Sequence, residues 1–389
     1  MTEPATGRTS HSATAILFTT VVIDLVGFGI VLPLLPGYAA RFHASDLLIG
    51  VVVGVYSLMQ FLVAPWWGRL SDRIGRRPVI LIGLSGSAIS YLLFAFAWSY
   101  QALLLSRIVA GGMGATVNVA QAYLADVTPP EKRSKAMGLI GAAFGLGFVL
   151  GPAIAGLTVH LSSAAPGLVA AGISTGAWLL AWFRLPETRM HVPSGRPRMP
   201  LDLGRVVQPY LVMFLEVLAF TVINVIFPLY TVRALGLGQR GTSNLFVVMG
   251  LVSAVVQGWL VGRLAGRLSE HAMMAGGCLL LALGLLAVPL AESPAVAPNL
   301  RMPFLVLALM VLVAGSALCL PSIAGYLSRI TSAEEQGRAL GGLQSMGAMA
   351  RIIGPPAAGF IAGVAGLRVP FYAAAGIAGL AGVIAMKKR

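Results

Sequence analysis

Long apolar runs recur along the whole chain, separated by short segments that are charged or rich in proline and glycine. Each run holds about 20 residues, which is enough for one helix to cross the roughly 30 Å hydrocarbon core of a bilayer. Twelve spans are predicted, at residues 13–35, 46–67, 78–98, 101–124, 135–160, 165–184, 208–232, 242–262, 271–291, 302–326, 337–363 and 369–386. The sequence therefore predicts an all-α membrane protein with twelve transmembrane helices.

Composition excludes the soluble alternative and gives no sign of an enzyme. Only 10% of the 389 residues are charged and 57% are hydrophobic, whereas soluble domains carry about 25% charged residues. Cys278 and Cys319 both lie inside spans, so neither a disulfide framework nor a metal site is predicted. The sequence offers no phosphate-binding loop with lysine and no nucleophile triad. We expect no enzymatic activity, no cofactor and no metal.

The basic residues are distributed unevenly between the two sides of the membrane. With both termini inside, 20 of the 27 lysine and arginine residues fall in cytoplasmic tails and loops and 5 on the opposite side. Arg107 and Arg351 fall within spans. This asymmetry follows the positive-inside rule. It accounts for the net charge of +14 without nucleic acid, which we do not expect as a partner.

The chain contains two copies of one design. Residues 122–156 and 325–359 share Tyr-Leu, Gly-Pro and Ala-Gly positions at a constant offset of 203, and GRLSDRIGRRPVI (68–80) has a fainter counterpart in GRLAGRLSEHAMM (262–274). We predict two six-helix bundles in pseudo-two-fold repeat, at 1–185 and 208–389, joined by a cytoplasmic linker at 186–207. In transporters built from such repeats, the substrate site lies near the bilayer midplane between the halves.

Three motifs carry a resemblance to a known family. The loop after the second span resembles the signature loop of the major facilitator superfamily. Span five resembles the glycine-rich antiporter motif, and segments 24–36 and 106–133 resemble the tetracycline efflux pumps among the twelve-helix drug:proton antiporters. The signature loop contributes Gly68, Asp72, Arg73, Gly75, Arg76 and Arg77, with Asp126 in the matching loop. The antiporter motif contributes Gly141, Gly145, Gly151, Pro152 and Gly156.

The charged loop at 68–79 is interpreted as a cytoplasmic turn between two helices. Asp72 is a candidate cap or dipole partner for the helix that follows, and the arginines are placed to pair with Asp72 and Asp126. The resemblance implies that this cluster is a latch that holds the halves together on the cytoplasmic side in one state. The alternative is that the arginines only anchor the topology.

Spans four and five carry the next candidates. Arg107, Gly111, Gly114, Asn118 and Gln121 are spaced by steps of three and four, so one continuous helix would place all of them on a single face. A charged group within a span is rare unless it is functional, so Arg107 is predicted either to take part in coupling or to bond carbonyl groups of a neighbouring helix. The glycines of span five allow close backbone approach and form either a hinge between the halves or ordinary tight packing.

Of the 13 acidic residues, only Asp24 and Glu216 lie inside spans. Aligning Pro33 with Pro228 places Glu216 about one turn from the position of Asp24 in the other half. A carboxyl group in a low-dielectric environment holds a proton more readily than one in water, so both are candidate proton-coupling groups, with a structural hydrogen bond as the alternative. The predicted substrate cavity is lined by Asn118, Gln121, Phe220, Asn224 and Phe227.

The expected function is export of lipophilic, drug-like compounds in exchange for protons by alternating access. Ser90 stands where tetracycline pumps carry an acid, and GGCLLLALG in span nine is wholly apolar, so their magnesium–drug site is not expected. The alternatives are a facilitator or symporter for a metabolite, lipid or sugar and, less favoured, a non-transporting receptor. The expected partners are a small-molecule substrate, protons and the lipid bilayer. We expect a monomer in the bacterial cytoplasmic (inner) membrane, with both termini cytoplasmic.

Overall fold

The computed structural model describes residues 7–114, 116–128, 133–187, 202–332 and 335–387. These residues are helical almost throughout, and no strand occurs among them. In this part of the chain, 11 helices are long and apolar enough to cross a membrane, and the shorter apolar helix Ala142–Thr158 supplies the twelfth. The predicted all-α fold with twelve transmembrane helices is confirmed.

The helices follow the predicted spans, with short interruptions that hydropathy does not reveal. In the first half they are α1 (Gly7–Val31), α2 (Leu35–Arg41), α3 (Asp46–Ile74), α4 (Arg76–Ala95), α5 (Tyr100–Met113), α6 (Thr116–Val127), α7 (Arg133–Thr158) and α8 (Ala165–Arg184). In the second half they are α9 (Leu203–Arg233), α10 (Gln239–Val255), α11 (Val261–Leu264), α12 (Glu270–Ala287), α13 (Arg301–Ile330), α14 (Gln336–Ala365) and α15 (Val369–Met386). A π-helical turn, Val256–Leu260, joins α10 to α11.

The chain forms two compact units. One comprises Met1–Leu34 and Met59–Gly195, and the other comprises Leu35–Leu58 and Arg196–Arg389. The predicted domain boundaries therefore stay a prediction, and residues 188–201 of the predicted linker lie outside the described residues. The segment Leu35–Leu58 belongs by sequence to the first repeat but packs within the second unit.

The two units use equivalent helix pairs. In the first unit α1 packs along α7 and α8, and α4 packs against α5 and α8. In the second unit α9 packs along α14 and α15, and α12 packs against α13 and α15. Because the pairs correspond one to one, the internal repeat seen in the sequence is a repeat of packing as well.

Two local predictions are wrong. Residues 68–74 are not a turn, because α3 continues to Ile74 and only Gly75, with φ of 101°, breaks the chain before α4. Span four is not one continuous helix, since α5 ends with Gly114 as its cap and α6 begins at Thr116. Glycine accounts for both interruptions. It alone tolerates the positive φ at 75 without steric cost, and Gly112 and Gly114 weaken the helix interior at the second interruption.

Candidate functional site

Glu216 lies at the centre of a polar cluster in the second unit. Its side chain is fully buried in the apolar helix α9. Ser316 of α13 donates a hydrogen bond to Oε1 over 2.6 Å, while Oε2 is buried without a hydrogen-bond partner among the described residues. A buried carboxyl oxygen that lacks a partner is costly as an anion. The geometry therefore suits a group that is protonated in part of a working cycle.

Arg351 of α14 faces the same cluster. Its guanidinium interacts electrostatically with Glu216 and with Tyr56, a residue of the Leu35–Leu58 segment. The side chain is only partly buried, and within the described part of the chain none of its N–H groups donates a hydrogen bond. A membrane-embedded arginine with open donors is suited to bind an anionic or electron-rich group.

Asp24 occupies the corresponding place in the first unit. The hydroxyl groups of Ser87 on α4 and Thr116 at the start of α6 lie beside its carboxyl group, and Oδ1 is buried with no hydrogen-bond partner among the described residues. Thr116 is the first residue of α6, so the carboxyl group also lies near a helix N-terminus, which favours an anion. Unlike Glu216, Asp24 has hydroxyl groups rather than a cation as its identified neighbours.

Packing shows that the two carboxyl groups are equivalent. Gly151 of α7 contacts Gly29 of α1, and its repeat partner Gly354 contacts Thr221 of α9. Asp24 lies five residues before the first contact and Glu216 lies five residues before the second. The structure therefore corrects the expected offset of one turn, which rested on aligning two prolines.

Arg107 is placed in the interior of the first unit. It is 3% exposed, its Nε donates to Ser106 Oγ over 3.2 Å, and its guanidinium lies 5.5 Å from the centroid of the Phe94 ring. The break after Gly114 ends the face on which it was predicted to line up with Asn118 and Gln121. These two residues are exposed on α6, so the expectation of a single five-residue stripe is wrong.

Two side chains from α3 hold the break between α5 and α6. Trp67 Nε1 donates to the carbonyl oxygen of Gly112 over 2.7 Å, and Gln60 Nε2 donates to that of Gly114 over 3.3 Å. A helix end leaves carbonyl groups without internal partners. The two donors satisfy them, and the break fixes Thr116 beside Asp24.

The glycines of span five do not act alike. Gly147 and Gly151 lie against the backbone of α1, whereas Gly145 has open space around it. Gly156 and Pro152 are buried in α7, and the surroundings of Gly141 lie outside what the structure describes. Close α1–α7 contact thus depends on part of the motif only.

The residues of α9 that were predicted to line the substrate cavity are buried to different degrees. Phe220 and Asn224 are partly buried on α9. Phe227 is fully buried, with its ring 5.9 Å from that of Phe246 on α10. Phe227 is therefore an interior packing residue, and its assignment to the substrate cavity is withdrawn.

Arg76 is the centre of the cytoplasmic cluster. Its guanidinium lies 2.6 Å from Asp72 and 3.0 Å from Asp126, and it donates to Ser71 Oγ over 2.6 Å. Asp72 lies in the last turn of α3 and does not cap α4, which corrects the prediction. Glu187 does so instead, because its Oε1 accepts hydrogen bonds from the backbone N–H groups of Arg76 and Arg77.

The other cluster residues contribute less to these contacts. Arg77 donates to the backbone carbonyl group of Trp182 on α8, which ties the start of α4 to the end of that helix. Gly68 has open space around it and Arg73 is exposed in the last turn of α3. The contacts of the cluster described here all lie within the first unit.

The second unit carries the same ion pair with its charges exchanged. Glu270 corresponds to Arg76 in the internal repeat, and Arg329 corresponds to Asp126. Arg329 Nη2 lies 2.7 Å from Glu270 Oε1. An ion pair therefore connects the start of α4 to the end of α6 in the first unit, and one of opposite polarity connects the start of α12 to the end of α13 in the second.

Sequence reasoning overlooked several partners. Ser316, Ser87 and Glu187 carry no sequence signal that distinguishes them from other serine and glutamate residues. Arg351 did have one, because it is one of only two basic residues inside spans, yet it was not assigned a role. Ser90, at the acidic position of tetracycline pumps, is fully buried and donates to the carbonyl oxygen of Ser87.

Comparison with known proteins agrees with this architecture. The family described as Major Facilitator Superfamily matches residues 17–297 and 209–389. The class C tetracycline resistance protein of Escherichia coli is 33% identical over 367 residues, covering 89% of this chain and 88% of that protein. The class B protein of the same organism is 31% identical over 360 residues, covering 89% and 87%. The crystal structure of the human organic anion transporter MFSD10 (TETRAN) superimposes with a TM-score of 0.73 at 25% identity, covering 98% of this chain and 100% of that one.

Proposed function

The chain belongs to the major facilitator superfamily, and from that premise we propose that it exports lipophilic, drug-like compounds in exchange for protons by alternating access. It is a multi-pass membrane transporter of small molecules and not an enzyme. The observation that carries the proposal is the pair of buried carboxyl groups, Asp24 and Glu216, at equivalent positions of the two units. Tetracycline resistance proteins at 31% and 33% identity support drug export as the direction of transport.

The proposed cycle depends on protonation of these carboxyl groups. A deprotonated carboxyl in an apolar span is unfavourable without a partner, so an empty transporter prefers to reorient with its acids neutralised. Protons taken up from the outside and released inside would then drive the return step, and substrate would leave in the other direction. No nucleotide-binding loop is present in the sequence, so an ion gradient is the proposed energy source.

Asn118, Gln121, Phe220 and Asn224 remain the proposed cavity residues. Asn118 and Gln121 are exposed and Phe220 and Asn224 are partly buried, which supports contact with substrate. Arg107, buried within the first unit, remains a proposed proton-coupling residue. We propose that the chain is a monomer in the bacterial cytoplasmic membrane. The asymmetry of the basic residues supports an orientation with both termini inside. The Arg76 cluster is proposed to act as a cytoplasmic latch on the basis of the resemblance of its loop to the signature loop of the family, since the ion pairs described for it all lie within the first unit.

Arg351 supports a second candidate function, the transport of an organic anion together with protons. If Glu216 is deprotonated it neutralises Arg351, and if Glu216 is protonated the guanidinium becomes available to an anionic substrate. Anion and proton would then bind together and move in the same direction. The similar human protein MFSD10 is an organic anion transporter, which agrees with this alternative.

The direction of proton flux relative to substrate flux distinguishes the two candidate functions. Purified protein in sealed proteoliposomes with an internal pH dye receives a substrate gradient from a panel of lipophilic cations, neutral drugs and organic anions. Antiport predicts proton movement against the substrate flux, abolished in Glu216→Gln. Proton movement with an organic anion, lost in Arg351→Gln, would establish the second candidate. No proton movement with any compound would overturn both.

A further inference from the structure

The only two cysteines of the chain meet inside the second unit. Cys278 on α12 and Cys319 on α13 are separated by 41 positions, yet their sulfur atoms lie 3.3 Å apart. Both side chains are completely buried and both thiols are free. Among the described residues, neither thiol forms a hydrogen bond with Glu216 or Ser316.

The two helices approach closely enough for a covalent bond at this level. A Cβ added to Gly277 would lie 2.9 Å from the backbone nitrogen and Cβ of Cys319, and one added to Gly315 would lie 2.4 Å from the backbone nitrogen of Leu281. The α12 and α13 backbones are therefore in direct contact on both sides of the thiol pair. A disulfide requires Cα atoms about 4.4–6.8 Å apart and an S–S distance near 2.05 Å, so closing the pair needs a sulfur displacement of about 1.3 Å.

The thiol pair lies close to the Glu216 cluster. Cys319 interacts electrostatically with Glu216, and it stands one turn after Ser316, which donates to the same carboxyl group. In the internal repeat Cys319 corresponds to Thr116, the residue beside Asp24 in the first unit. A change at the thiol pair therefore takes place one helical turn from the hydrogen bond between Ser316 and Glu216.

We propose that Cys278 and Cys319 form a reversible disulfide site that responds to small neutral hydroperoxides able to enter the bilayer. The Cys319 sulfur attacks one oxygen of hydrogen peroxide. The O–O bond breaks, an S–O bond forms, and the thiol proton leaves with the departing hydroxyl group as water. The Cys278 thiol then attacks the sulfenic sulfur, its proton leaves with the hydroxyl group as a second water, and the S–S bond forms.

The disulfide also acts on transport in this scheme. Because the α12 and α13 backbones are already in direct contact, closing the pair requires the Cys319 side chain and its local backbone to turn, one helical turn from Ser316. In this scheme that shift displaces the hydrogen bond from Ser316 to Glu216. This second part rests on the proposed role of Glu216 in proton coupling, whereas formation of the bond does not.

The test uses the full chain in proteoliposomes treated with hydrogen peroxide or, as a second oxidant, copper phenanthroline. Denaturation in maleimide followed by intact-mass measurement counts the free thiols. We expect wild type to lose both reactive thiols and two hydrogens, and to recover them in dithiothreitol. Cys319→Ser should keep its one free thiol with either oxidant, whereas Cys278→Ser should keep it only with copper phenanthroline, because peroxide converts Cys319 to the sulfenic acid. Two labelled thiols in wild type after either oxidant would overturn the proposal.

Transport is measured on the same samples. Oxidised wild type should transport several-fold more slowly than reduced wild type, with full recovery after reduction and no response in Cys278→Ser. A disulfide that forms without slowing transport would overturn the regulatory part. Absence of proton-coupled transport in the untreated wild type would instead contradict the proposed function, so the two failures are distinguishable.

Discussion

Gly151→Ala tests whether close contact between α1 and α7 is a packing requirement of the antiporter motif. A Cβ at 151 would lie 2.5 Å from the Cα and carbonyl carbon of Gly29, against 3.4–4 Å for an ordinary contact. The atoms in the way belong to the backbone, so α1 must move by about 1 Å. Overpacking of this kind costs about 1–3 kcal/mol, partly offset by a gain of about 0.5–1 kcal/mol from helix propensity.

The net loss of roughly 0–2.5 kcal/mol corresponds to a Tm lower by up to about 10 °C for a unit of this size. Thermal unfolding of the purified protein in detergent measures it. Gly145→Ala is the matched control, because it lies in the same motif and helix with open space around it. The control should keep its Tm or gain up to about 4 °C. Equal Tm values for the two variants would refute the packing argument, whatever their transport activity.

Three other sets of substitutions test the remaining contacts. Arg76→Gln removes the shared partner of Asp72, Asp126 and Ser71 and should lower stability by about 1–3 kcal/mol. Arg73→Gln, exposed in the same cluster, should change stability by less than about 0.5 kcal/mol. Equal thermal shifts of the two variants would contradict the central role of Arg76 in the cluster. Glu270→Arg should destabilise the second unit, and adding Arg329→Asp should restore its stability, with a coupling energy of about 0.2–1 kcal/mol in a double-mutant cycle. Strictly additive effects on stability would show that the two residues do not interact. Trp67→Phe leaves the carbonyl group of Gly112 without its donor and should lower stability by about 1 kcal/mol, a loss that Trp66→Phe, on the exposed side of α3, should not reproduce.

Most of the fold could be predicted from hydropathy and the internal repeat, because a membrane imposes a length and a polarity on each helix independently of its neighbours. The twelve spans and the internal repeat therefore appear in the sequence itself. The break at Gly114 does not, since its stability depends on donors from Trp67 and Gln60 on another helix. For the same reason the predicted cap of α4 was wrong. The cap comes from Glu187 rather than from Asp72, and Glu187 is more than 100 positions away in the chain.

The candidate site was predictable in its acids and not in their partners. Asp24 and Glu216 stand out because charge inside a span is rare. Ser316 and Arg351 reach Glu216, and Tyr56 reaches Arg351, only through the rotation and tilt of packed segments. The sequence of any one segment does not specify that packing. Phe227 is a residue whose position in the sequence suggested a role that its packing does not support. Its place on α9 suggested a cavity wall, but packing against Phe246 puts it in the interior.

The central claim is that the two equivalent carboxyl groups couple transport to protons. The most direct measurement compares uphill transport driven by an imposed pH gradient with substrate exchange at equal pH in proteoliposomes. The account predicts that Asp24→Asn combined with Glu216→Gln abolishes uphill transport while exchange of a neutral substrate continues. Uphill transport that remains at the wild-type rate in the double variant would contradict it.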